Sequence, residues 1–147
     1  MAEPSGTGNG VFEQAIMLMD EQSDSGAAVW SDTQEYRCRA LAILNTLLGE
    51  CYPCSDNYAP DTPGQRPAPR PMAALEDAVP LDGSLAGTAL PYGLAAELVK
   101  NDDPALGNYF LQRYQELLDR LGRKLPAAWT AMEDVYGVVG WSGHGRW

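Results

Sequence analysis

The chain has 147 residues, 45% hydrophobic and 20% charged, enough for one modest core and not for two independent ones. Twenty acidic residues against ten basic ones leave a net charge of -10, which excludes sequence-independent gripping of duplex DNA or of an anionic membrane. Three cysteines are too few for a disulfide framework, no run approaches the ~20 apolar residues of a membrane span, and the first residues lack a signal peptide's basic and apolar regions, so a soluble, unexported protein is expected.

The leader Gly6-Thr7-Gly8-Asn9-Gly10 reads as a flexible end, with neither the Lys-Ser/Thr of a P-loop nor the glycine spacing of a dinucleotide fold. Apolar residues at 11, 12, 15, 16, 18 and 19 predict a first helix over 11–22, stopped by Ser23-Asp24-Ser25-Gly26. Ser31 and Gln34 have the capping-box spacing. Tyr36, Ala40, Leu41, Leu44, Leu47 and Leu48 then recur at three- and four-residue steps, which predicts a second helix over 32–48 ending at Gly49. Seven of the eleven prolines lie between Pro53 and Pro80, so the segment from about 52 to 83 reads as an extended insertion lacking the apolar content for a core layer.

Leu85, Leu90, Leu94, Leu98 and Val99 define the next stripe, and Pro91 must open or kink its helix; a short turn before Pro91 and a helix to Lys100 are expected. Asp103 and Pro104 cap and open a fourth helix that carries Leu106, Tyr109, Phe110, Tyr114, Leu117, Leu118 and Leu121 and ends near Gly122. Tyr92, Tyr109, Phe110 and Tyr114 are assigned to the core between helices three and four, with the hydroxyls at its rim. The expected fold is all-α: a small four-helix bundle over 1–125, with the Pro-rich insertion between helix pairs and an extended C-terminal arm over 126–147.

Four glycines among the last eleven residues preclude a stable helix in that arm, while 135–139 suits a short strand that needs a partner. Large aromatics anchor interfaces, and a segment too glycine-rich to pack alone orders on a second protein. Trp129, Tyr136, Trp141 and Trp147 are therefore the candidate partner-binding residues.

Catalytic associations attach only to Cys51-Tyr52-Pro53-Cys54, since two thiols at that spacing can cycle between dithiol and disulfide. Such a motif opens a helix after a strand, whereas this one follows the second helix. The thiols read as incidental, with a thiol-disulfide oxidoreductase using Cys51 and Cys54 as the alternative. Cys38 and His144 stand at none of the usual metal-ligand spacings, so no metal or cofactor is expected. His144 reads as a surface histidine, and Gly140 to His144 fails the nucleophile-elbow pattern at its last position. Asp20-Glu21, Asp102-Asp103 and Glu133-Asp134 read as caps and solvated faces, and no enzymatic activity is expected.

The run Ala89-Leu90-Pro91-Tyr92-Gly93-Leu94-Ala95-Ala96-Glu97-Leu98, followed by Asp102-Asp103-Pro104-Ala105-Leu106 and Tyr109 to Leu117, resembles the second half of head-tail connector proteins (portal adaptor, head-completion) of tailed bacteriophages. Val11 to Ile16 through Asp20-Glu21, and Tyr36 to Ala40 leading into a leucine-rich helix, are similar to the first half of such proteins. The resemblance implies a helical bundle that assembles as a homo-oligomeric ring on the portal protein in the virion neck, is built in the host cytoplasm, extends the DNA channel and docks the next neck, stopper or tail protein. It also implies an arm reaching a neighbouring component, a role that falls here to the segment from Trp129 to Trp147.

Composition adds a mechanism. Residues 1–97 hold fourteen acids and four bases, whereas 98–147 hold six of each. An acidic half lining the ring would repel DNA from the wall, leaving DNA a passenger without specific binding. A host-side adaptor that uses the same aromatic arm is the remaining alternative.

Overall fold

The computed structural model describes residues 6–55 and 68–123. Four α-helices follow one another: α1 (Gly8–Leu18), α2 (Gln34–Cys51), α3 (Leu90–Val99) and α4 (Pro104–Gly122). The described residues form an all-α helical bundle without a strand, as expected. The C-terminal arm and its four aromatics, together with residues 56–67 of the Pro-rich insertion, lie outside the described residues.

The centre of the bundle is α3. Leu90, Leu94, Ala95 and Leu98 are completely buried, and α1, α2 and α4 all pack against this helix. A helix apolar everywhere except at Tyr92 and Glu97, which reach the surface, must sit inside. Gly93 lets α4 come close, because a Cβ there would lie 2.9 Å from the Tyr114 ring. Asp103 caps α4 as expected, accepting the Leu106 N–H at 3.1 Å, with Pro104 in the first turn.

Several boundaries differ from the sequence reading, each for a local reason. α1 stops at Leu18, short of residue 22, because Asp20 adopts the left-handed conformation (φ 58°). The Glu21 N–H then reaches the Ile16 carbonyl (3.1 Å) and the Asp20 N–H that of Met17 (3.1 Å), which closes the helix end before the Ser-Asp-Ser-Gly run begins. At the start of α2, Ser31 bonds Asp32 and does not cap. Thr33, buried in a 3-10 turn over Ser31–Thr33, donates to the Ala28 carbonyl at 2.7 Å and accepts the Trp30 N–H at 3.1 Å. α2 continues through Gly49 to Cys51 because Leu48 and Cys51 are both buried, and packing outweighs glycine's weak helix propensity. Before Pro91 the chain forms a π-helical turn over Leu85–Ala89 running straight into α3. The wider turn accommodates a ring that lacks an N–H and would otherwise press on the carbonyl four residues back.

The larger correction concerns the leader and the insertion. Met72, Leu75, Val79 and Leu81 are buried, so the second half of the insertion covers the core instead of skirting it. Gly6–Gly10 is equally structured: Thr7 caps α1 by accepting the Gly10 N–H at 3.2 Å. The two segments are joined by Gly8 N–H to Asp77 O (3.1 Å), Asn9 N–H to Leu75 O (2.7 Å) and Val79 N–H to Gly6 O (3.0 Å). Sparse apolar residues suffice when each one lands on the core.

Asn45 on α2 pins this strap, donating to the Met72 carbonyl (3.0 Å) and accepting the Met72 N–H (2.8 Å). Asn45→Ala leaves both backbone groups part-buried and unpaired, with an expected loss of about 1–3 kcal/mol. Urea unfolding checks the total, and faster hydrogen exchange at the Met72 amide localises it.

Candidate functional site

The thiol pair comes first because it alone suggested chemistry. Cys51 is the last residue of α2 and is completely buried; Cys54 follows in a 3-10 turn and is partly buried. The Tyr114 hydroxyl donates to the Glu50 carboxylate at 3.1 Å, so at its 3.3 Å contact with Cys51 Sγ it accepts a hydrogen bond from the thiol. Burial pushes the Cys51 thiol from 9.0 up to about 12. Burial also raises Cys54, helped by the negative charges of Asp119 and Asp82. The pair therefore sits at the carbonyl end of a helix, which disfavours a thiolate, where a redox motif uses the opposite end.

Two outcomes follow. Iodoacetamide at neutral pH is expected to modify exposed Cys38 in the folded protein and to spare Cys51 until urea unfolds the chain, as read by mass spectrometry of tryptic peptides. Below pH 9.0 the Cys51 thiol is protonated in both the folded and unfolded states. Above it the unfolded thiol ionises while the folded one stays neutral to about 12, so stability falls as pH rises across that window. Cys51→Ala is expected to flatten that decline in urea titrations.

The second feature is a largely apolar groove of about 350 Å³ between the C-terminal half of α1 and the start of α3, lined by Met17, Leu18, Gly87, Pro91 and Tyr92 together with the polar Gln14 and Thr88. Met17 is 54% exposed and stands off the buried stripe of α1. Beneath the surface the ring of Tyr92 meets that of buried Phe110 (centroids 6.1 Å apart), which in turn meets exposed Tyr109 (5.6 Å), with the Arg113 guanidinium 5.7 Å above the Tyr92 ring. Tyr109 is 55% exposed, which corrects its assignment to the core; Phe110 and Tyr114 are buried as expected, and Tyr92 is half-buried.

Charge is unevenly placed around these residues. Glu13, Asp20, Glu21, Asp24, Asp32 and Glu35 are exposed on and between α1 and α2. α4 carries Arg113, Arg120 and Arg123, two of which pair within the helix, Arg113 with Glu116 (3.1 Å) and Arg123 with Asp119 (3.0 Å). Those pairs are exposed and contribute little to stability.

Trp129, Tyr136, Trp141 and Trp147 lie outside the described residues, as does His144, so the groove and exposed Tyr109 are the interaction features in view. Sequence reading passes over them because it assigns Tyr109 to the core and gives Met17, off the α1 stripe, no role. The available signal is an apolar side chain outside the buried face of an amphipathic helix. Comparisons with protein-family models, curated proteins and solved structures give no match. Among the described residues no group of His, Cys, Asp and Glu could hold a metal ion, and no helix is long and apolar enough to cross a membrane.

Proposed function

We propose that this chain is a structural subunit of the tailed-bacteriophage neck: a head-tail connector that forms a ring on the portal vertex, extends the DNA channel and docks the next neck or tail component. The observation that carries the reading is the apolar groove at Met17, Leu18, Pro91 and Tyr92, which the bundle leaves open to solvent, with Tyr109 also exposed on α4. An open apolar surface of this kind marks a contact with another polypeptide. Three further features support it: the resemblance in the α3–α4 region, the aromatic arm after α4, and the acidic residues gathered between α1 and α2 at Asp20, Glu21, Asp24 and Asp32. With the acidic faces toward a lumen, repulsion summed over many subunits keeps DNA moving, and DNA is not a ligand. The buried, protonated Cys51 weighs against thiol-disulfide exchange.

The test is cryo-electron microscopy of the purified chain with the portal protein from the same genome, with residues 126–147 intact and then deleted. Rings on the portal that vanish with the deletion support the reading. A solitary chain that ignores the portal overturns it, and a strongly basic lumen overturns the orientation. Capture of a host protein by a chain that never touches the portal would favour the adaptor reading.

A further inference from the structure

The groove between α1 and α3 carries one unmet polar group. Its wall holds Gln14, whose side-chain oxygen is tucked away from solvent and accepts no hydrogen bond, so a group in the groove meets it once the side chain turns outward. The other polar lining residue, Thr88, is exposed to water, so the unmet group is the Gln14 acceptor, and a largely apolar slot of this kind is matched by a flat apolar body with a single N–H donor. Among protein side chains that describes the indole of tryptophan, which donates through Nε1 and accepts nothing. The chain already uses an indole in this way, since Trp30 Nε1 donates to the Glu21 carbonyl at 2.9 Å.

The sequence beyond α4 supplies such groups. Twenty-four residues follow Arg123, and the last eight carry Trp141, Trp147, His144 and Arg146 with no Asp or Glu. The groove's edge has the opposite sign: Glu13 lies one turn before Met17 on the same exposed face, and Asp20 and Glu21 follow just past the helix end. α4 ends at Gly122 against Cys54, and the groove's Tyr92 lies beside Arg113, about 14 Å back along α4 at the usual rise. An extended arm of that length spans about 80 Å, enough to reach its own groove or to cross to a neighbour, and the choice of the neighbour rests on the connector reading. A donor and a receiver on different surfaces make a head-to-tail contact, the kind that generates rings.

We infer that an indole of residues 140–147 from one copy of this chain seats in the α1–α3 groove of the next, donating to Gln14 Oε1 while Arg146 meets the acidic edge. This rests on the connector reading and gives its ring a subunit-to-subunit lock.

The experiment is sedimentation velocity of the full chain over a concentration series, for the wild type, Met17→Glu, Gln14→Leu and the double variant Trp141→Ala/Trp147→Ala. Met17 is more than half exposed, so Met17→Glu is expected to fold and melt like the wild type by circular dichroism. Self-association is expected to weaken roughly thirtyfold in Met17→Glu and in the double variant, and about fivefold in Gln14→Leu. Mixing Met17→Glu, whose arm is intact, with the double variant, whose groove is intact, is expected to give a species of two chains and nothing larger. A Met17→Glu protein that assembles like the wild type, or a mixture that forms no pair, overturns the groove proposal and leaves the connector reading standing. A wild-type chain that stays single at every concentration and also ignores the portal removes both.

Discussion

Phe12→Ala is expected to lower the stability of the bundle by about 3–5 kcal/mol, the range for removing a buried aromatic ring. Phe12 is completely buried at the start of α1, beside Val11, Ala15 and Ile16, which are equally inaccessible, and the Arg37 guanidinium lies 5.9 Å from the centre of its ring. Truncation removes the apolar area that holds α1 against α3 and leaves a cavity that backbone hydrogen bonds on both helices keep from collapsing. A domain of this size is stable by about 5–15 kcal/mol, so a large share of the folded population is at stake. Urea unfolding followed by circular dichroism should show a lower midpoint with an unchanged slope. Tyr109→Ala, on an exposed face of α4, is the matched control and should stay within about 0.5 kcal/mol of the wild type. A Phe12→Ala protein as stable as that control would mean that α1 does not pack as described.

Gly8→Ala is expected to cost about 1–3 kcal/mol, although the residue lies in what reads as a flexible leader. A Cβ at position 8 would fall 2.8 Å from the Leu75 carbonyl oxygen and 2.6 Å from the Met72 Sδ-methyl carbon. The methionine tip can swing away. The carbonyl cannot without losing the Asn9 N–H bond that holds it at 2.7 Å. Gly49→Ala makes the opposite prediction: its Cβ would meet nothing within 4 Å in the last turn of α2, so the exchange should stabilise the protein by up to about 1 kcal/mol. Thermal melts of the two variants, expected to move in opposite directions, check both. Equal and small shifts would mean that the leader and the strap over 72–79 are not in contact.

The helices themselves were legible wherever residues three and four apart were apolar. The α4 boundaries agree because Asp103 and Pro104 act through their own backbone geometry, independently of any neighbour. The misplaced ends have a different cause. Asp20 ends α1 by taking the left-handed conformation, open to aspartate but more often supplied by a glycine such as Gly26, and α2 outruns Gly49 because Cys51 finds a place beneath Tyr114. The interaction features were half legible. The aromatic arm stands out in the composition, while the groove needs α1 and the π-helical turn before α3 to be placed side by side.

Residue order alone determined that this chain is helical, where its apolar stripes run, that its acids are gathered toward one end, and that its thiols stand at the wrong end of a helix for redox work. These follow from local periodicity, capping and charge counting, which act over a few residues. Tertiary packing alone decided that the leader and the second half of the insertion close the core, that Tyr109 faces outward, and that Gln14 is left with an unused acceptor in a largely apolar slot. Each of those depends on contacts between residues far apart in the chain, and burial of that kind is a property of the assembled surfaces rather than of any segment.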